Sequence, residues 1–88
     1  MACYIISYDL RNPGRNYDSL YTAIKAYGTW AHINESVWAV VTEQTAVQVR
    51  DNLLQNMDSN DRLFVIRSGT AAAWRNAICE NQWLKDQL

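Results

Sequence analysis

Residues 2–8, Ala-Cys-Tyr-Ile-Ile-Ser-Tyr, contain no charge, proline or glycine, and apart from Ser7 they offer apolar or aromatic side chains to both faces of an extended strand. Such a strand is covered on at least one side and belongs at the centre of a sheet. The run closes at Asp9-Leu10, and Arg11-Asn12-Pro13-Gly14-Arg15-Asn16 follows as a string of turn formers. Asp9 is therefore displayed at a strand end beside irregular backbone. A carboxylate there serves either as a functional acid or as a solvated loop residue.

The remaining pattern supplies the partners of that strand. Asn16 offers a helix cap, Tyr17, Leu20, Tyr21, Ile24 and Tyr27 recur at helical spacing, and Gly28 stands where a left-handed residue ends a helix, which predicts a helix over 17–27. Residues 29–33 and 36–42 read as a β-hairpin joined by a two-residue turn at Asn34-Glu35. Thr45 and Gln48 have the spacing of a capping box, and Val49, Leu53, Leu54 and Met57 give the next helix, ending near Asn56, its apolar face. After the turn cluster Asp58-Ser59-Asn60-Asp61, Leu63-Phe64-Val65-Ile66 makes a fourth strand. Thr70 to Trp74 suits an edge strand or a short helix, and Asn81 to Leu88 a terminal helical turn or two.

The order strand, helix, strand, strand, helix, strand predicts an α+β fold: two right-handed split βαβ units in a ferredoxin-like βαββαβ arrangement. Its sheet would be four-stranded and antiparallel, with both helices on one face and residues 70–88 as a C-terminal extension of a single domain over 1–88. The other face would be left to meet solvent, a ligand or another subunit.

With 88 residues, 49% of them hydrophobic, the chain can build one compact but thin core, so self-association is expected. Its net charge of −1, without a run of like charge, excludes strong indiscriminate binding to nucleic acid while leaving room for a local patch around Arg11, Arg15, Arg62 and Arg67. Cys3 and Cys79 form no CxxC pair and read as reduced thiols. No segment has the pattern of a signal peptide or a membrane span, and the expectation is a soluble, cytoplasmic protein.

Chemistry-bearing residues are few. Asp9 could ligate a divalent cation, but Mg²⁺ usually takes more than one carboxylate or a substrate phosphate. A symmetric dimer that brings two copies of Asp9 together supplies what one chain lacks. His32, the lone histidine, lies two residues after Trp30 and reads as a hydrogen-bonded sheet residue, and neither Ser7 nor Ser36 has a nucleophile-elbow context. Trp30, Trp38, Tyr4 and Tyr8 could line the helix-free face and stack bases, although the RNA-recognition consensus is absent and core packing explains them better. Pro13-Gly14 is a turn rather than a phosphate cradle.

The string Tyr4-Ile5-Ile6-Ser7-Tyr8-Asp9-Leu10, the helix ending Ala26-Tyr27-Gly28, and Glu35-Ser36-Val37-Trp38-Ala39-Val40 resemble the CRISPR-associated Cas-two family and its VapD-type relatives. The Tyr-Asp-Leu-x-x-Pro-Gly opening and the length are similar to small bacterial proteins labelled SinR-like. The resemblance covers roughly residues 3–68. It implies a ferredoxin-like homodimer joined through its sheets, with Mg²⁺ or Mn²⁺ between paired copies of Asp9 and Tyr8 and Ser36 beside it. Arg11 and Arg15 would contact nucleic acid. Some members are metal-dependent nucleases on RNA or DNA, and others serve as scaffolds in defence complexes. A non-catalytic dimeric interaction module, or a component of a toxin–antitoxin pair, is the alternative expectation. The loop here departs from the family in carrying Arg11-Asn12-Pro13-Gly14 where further charged residues usually stand near the aspartate.

Overall fold

The apolar run at the N-terminus forms strand β1 (Ala2–Asp9), which lies inside the sheet with a strand on either side. The computed structural model describes residues 1–69 and 71–88. After β1 come α1 (Asp18–Lys25), β2 (Thr29–Asn34), β3 (Val37–Thr42), α2 (Ala46–Leu54), β4 (Arg62–Arg67) and α3 (Asn81–Gln87). The sheet order is β2-β3-β1-β4, and every neighbouring pair is antiparallel. Since β1 and β2 both oppose β3, they run parallel to each other, with α1 as their crossover; α2 joins β3 to β4 in the same way. This α+β architecture is compatible with the ferredoxin-like arrangement.

Alternation along the strands sorts the side chains between the two faces. Tyr4, Ile6 and Tyr8 lie opposite Val40, Trp38 and Leu63 in the register and join Leu20 and Ile24 of α1 and Val49 and Leu53 of α2 in one core cluster. Each such aliphatic side chain, taken fully out of water, contributes about 1.5–3 kcal/mol before entropy is counted. Trp38, Tyr4 and Tyr8 are thus core residues of the helix-covered face, and Trp30 shares their side of the sheet. The expectation that these aromatics could line the helix-free face is corrected by strand register.

Local signals set the element ends. Thr45 and Gln48 make the full capping box, each accepting the other's backbone N–H. Asn16 assists α1 by accepting the N–H of Asp18 at 2.8 Å, although Tyr17 occupies the cap position. Gly28 ends that turn with φ +87°, a conformation that a side chain would strain. The hairpin turn falls at Glu35-Ser36, one residue later than the sequence predicts. His32 pairs with Trp38 and Asn34 with Val37, so Ile33 is the extra residue of a β-bulge that shifts the register.

The second face is also partly covered, contrary to expectation. Leu84 of α3 is 1% exposed and packs with Cys3, Ala31, Ile33 and Ala39, while Trp74, Cys79 and Trp83 close around this smaller cluster. The N–H of Ile78 donates to the carbonyl of Ile33 at 2.8 Å and ties the segment before α3 to the outer edge of β2. Residues 71–74 adopt neither strand nor helix, and Thr70 lies outside the described residues. Away from α3, Phe64 and Ile66 of the other edge strand, β4, stay 62% and 49% exposed. Both cysteines are free thiols. Among the described residues, no helix is long and apolar enough to cross a membrane.

Candidate functional site

At the C-terminal end of β1 the chain leaves the sheet beside the β2–β3 turn, and between them opens a cleft of about 590 Å³. Tyr8, Asp9, Leu10, Arg11, Tyr21, Glu35 and Ser36 line it. Four residues singled out from the sequence, Tyr8, Asp9, Arg11 and Ser36, thus meet in one place, joined by two not foreseen, Glu35 and Tyr21. Glu35 is the first residue of the displaced hairpin turn, which is why it shares the cleft with Ser36.

The adjacent Tyr8 and Asp9 point to opposite faces, and their environments differ accordingly. Asp9 is exposed, and its carboxylate lies 3.5 Å from the guanidinium of Arg62, its register partner on β4. Such an exposed pair is worth little in stability and yields readily to a stronger cation. Tyr8 is buried. Its hydroxyl accepts the Trp38 Nε1–H at 2.9 Å and donates to the Glu35 carbonyl at 3.4 Å. Burial pushes the Tyr8 phenol up, and the Trp38 hydrogen bond only partly counters it. A phenol so engaged ties the hairpin turn to the end of β1. Glu35 accepts a second contact at its carbonyl from His32 Nε2 at 3.2 Å, which requires the ring to carry its proton on that nitrogen.

Arg15 stands apart from this cleft. It lies 3.9 Å from Asp58 and over the ring of Tyr17, 5.4 Å from the centroid, so it braces the loop instead of facing Asp9. The main anchor of that loop is Asp61, whose carboxylate accepts the Arg11 N–H at 2.6 Å, the Asp58 N–H at 2.7 Å and the Tyr17 hydroxyl at 2.9 Å. Asp61 sits in a turn cluster of polar residues, and nothing in its local sequence distinguishes it from its neighbours. Its role depends on contact with residues about fifty positions earlier.

Burial works against the charged form of Asp61, but the N–H groups of Arg11 and Asp58, the Tyr17 hydroxyl and Arg15 outweigh it and hold the carboxyl below its ordinary value. Because the folded-state value lies below the unfolded one, the carboxylate favours the fold above the ordinary aspartate range, roughly pH 4. That contribution is lost as pH falls through the lowered folded-state value. Asp61→Asn should therefore cost about 1–2 kcal/mol at pH 7, modest because the group is partly exposed, and the gap from wild type should close in strong acid. Urea unfolding at pH 7 and at pH 2 measures both. A gap that is unchanged at pH 2 would contradict the assignment.

Among the described residues of one chain, no three His, Cys, Asp or Glu side chains group to hold a metal ion. Asp9 and Glu35 are the two carboxylates at the cleft, oxygen donors of the kind that Mg²⁺ and Mn²⁺ prefer. No protein-family model matches the chain.

Proposed function

We propose that this chain is a ferredoxin-like, Cas-two-like homodimer whose paired Asp9 residues hold Mg²⁺ or Mn²⁺ for hydrolysis of a phosphodiester in RNA or DNA. The carrying observation is the convergence of Asp9, Arg11, Glu35 and Ser36 on one cleft at the end of a central strand. Among the described residues a single chain offers too few ligands, and the exposed carboxylate of Asp9 is open to a second copy. When bound, such a cation activates water and offsets charge on the phosphate. Arg11 suits the phosphate backbone, Ser36 can hydrogen-bond a non-bridging oxygen, and Tyr8 fixes the turn that presents Ser36.

A nuclease assay with Mn²⁺ on single- and double-stranded RNA and DNA tests this reading. Wild-type protein should cleave at least one substrate, with Asp9→Asn and a chelated sample both falling to background. Cleavage that survives Asp9→Asn, or its absence from the wild type on every substrate, removes the catalytic claim.

The Asp9–Arg62 pair favours a second reading, a non-catalytic dimeric interaction module in a defence or toxin–antitoxin setting, in which Asp9 serves as the cross-strand partner of Arg62. Under that reading calorimetry finds no heat of Mn²⁺ binding while light scattering still finds a dimer.

A further inference from the structure

A second pocket, of about 430 Å³, lies between β2, the C-terminal end of α1 and the segment leading into α3. We propose that it binds a nucleotide, the base held against Trp30 and His32 and the phosphate met by Lys25. This pocket is distinct from the Asp9 cleft, and the inference holds whether or not that cleft cleaves anything.

Its walls have the required chemistry. Trp30, His32, Trp38 and Trp83 line it, with Lys25 and Glu80 as its charged members. The volume falls within the roughly 300–1,000 Å³ of small-molecule clefts. His32 is stacked on Trp38, centroids 4.1 Å apart and planes 11° from parallel, so the imidazole is held flat with its Nε2 committed to Glu35. Trp30 is 36% exposed, the least covered of the pocket's indoles on the sheet, and tilts 49° against Trp38. Flat, fixed rings with solvent-reachable area are what an unpaired base stacks on.

Charge narrows the class further. Lys25 Nζ lies 5.3 Å from the Trp30 ring centroid and 6.0 Å from that of Trp38, so a cation is already at the aromatic surface and disfavours a second one. An anionic group attached to a flat ring meets both features, and a nucleotide is that combination. Glu80 can accept from an exocyclic amine, which makes adenine, guanine or cytosine a better fit than uracil or thymine. With a net charge of −1, the chain has little long-range pull on phosphates, and stacking is the interaction left to supply affinity.

Adenosine 5′-monophosphate, adenosine, inorganic phosphate and hexa-adenylate, each titrated into ¹⁵N-labelled protein with the indole N–H signals as readout, test the proposal. The monophosphate should move the Trp30 and Trp83 signals and leave Trp74, whose Nε1–H donates to Asn81 at 2.9 Å, in place. Trp30→Leu should weaken the monophosphate and adenosine alike by roughly tenfold. Lys25→Gln should weaken the monophosphate while adenosine binds as before. Tighter binding of hexa-adenylate than of the monophosphate identifies a single strand as the ligand; equal binding identifies a free nucleotide. The proposal is overturned if the monophosphate moves neither Trp30 nor Trp83, if phosphate alone reproduces the shifts, or if folded Trp30→Leu binds as the wild type does. Should Trp30→Leu fail to fold, the wild-type shift map and Lys25→Gln decide. Asp9→Asn should bind as the wild type does, which separates this pocket from the nuclease reading.

Discussion

Trp38→Ala should lower the stability of the fold by about 3–5 kcal/mol, the cost of deleting a large aromatic from a packed core. Trp38 is 4% exposed, packs against Tyr21, Trp30 and His32, and donates to the hydroxyl of Tyr8. Its loss leaves a void and unties Tyr8 at once. Since small domains hold only about 5–15 kcal/mol in reserve, a substantial unfolded fraction is expected in mild denaturant. Trp38→Phe separates the two effects. It keeps an aromatic ring and so should cost less than Trp38→Ala, but it cannot donate to Tyr8. Without that donor the Tyr8 phenol, already raised by burial, should titrate higher still. Urea unfolding measures the first effect and ultraviolet pH titration of the phenols the second. A Trp38→Ala protein with unaltered unfolding midpoint would show that the ring cluster is not the keystone of this face.

Leu84→Ala should cost about 2–5 kcal/mol, although the residue belongs to a seven-residue helix at the end of the chain. Leu84 is nearly inaccessible and fills the centre of the smaller core, against Cys3, Ala31, Ile33 and Ala39. A short helix has little stability of its own, so its folding depends on that contact. Cys3 gives an independent report. Burial pushes its thiol up, with a hydrogen bond to Ser68 opposing in part, and a thiol both buried and protonated is a poor nucleophile. In native wild-type protein only the partly exposed Cys79 should react promptly with a disulfide reagent, whereas Leu84→Ala should bring Cys3 into the fast phase. Equal reactivity of Cys3 in both proteins would mean that α3 does not guard this face.

The difference between these cores explains what the sequence makes legible. The helical side of the first core follows from local patterns, because the apolar residues of α1 and α2 recur at helical spacing, whereas β1 and β3 are apolar on both faces and only their register decides which side chains meet the helices. The capping box at Thr45 and the left-handed Gly28 likewise act within a few residues of themselves. The second core rests on Leu84, whose buried partners on the sheet lie about 45 to 81 residues earlier and leave no trace in spacing. Asp61 was hidden for the same reason. At the cleft, Asp9 and Arg11 follow from strand-end and loop chemistry and Ser36 from the family resemblance, but a one-residue bulge at Ile33 decides that Glu35 comes with them. Arg15 reads as a neighbour of Asp9 along the chain, yet the folded loop turns it towards Asp58.

The two rims of the sheet are unequal. Ile78 is fastened along one of them, while the other ends in a bare strand that carries Phe64 and Ile66 in the open. An edge strand left open in this way is where a sheet is most exposed to pairing with another chain, and a covered edge is protected from it. The segment before α3 thus blunts the β2 rim at Ile33, so among the described residues the apolar side chains left in the open on an edge strand are those of β4.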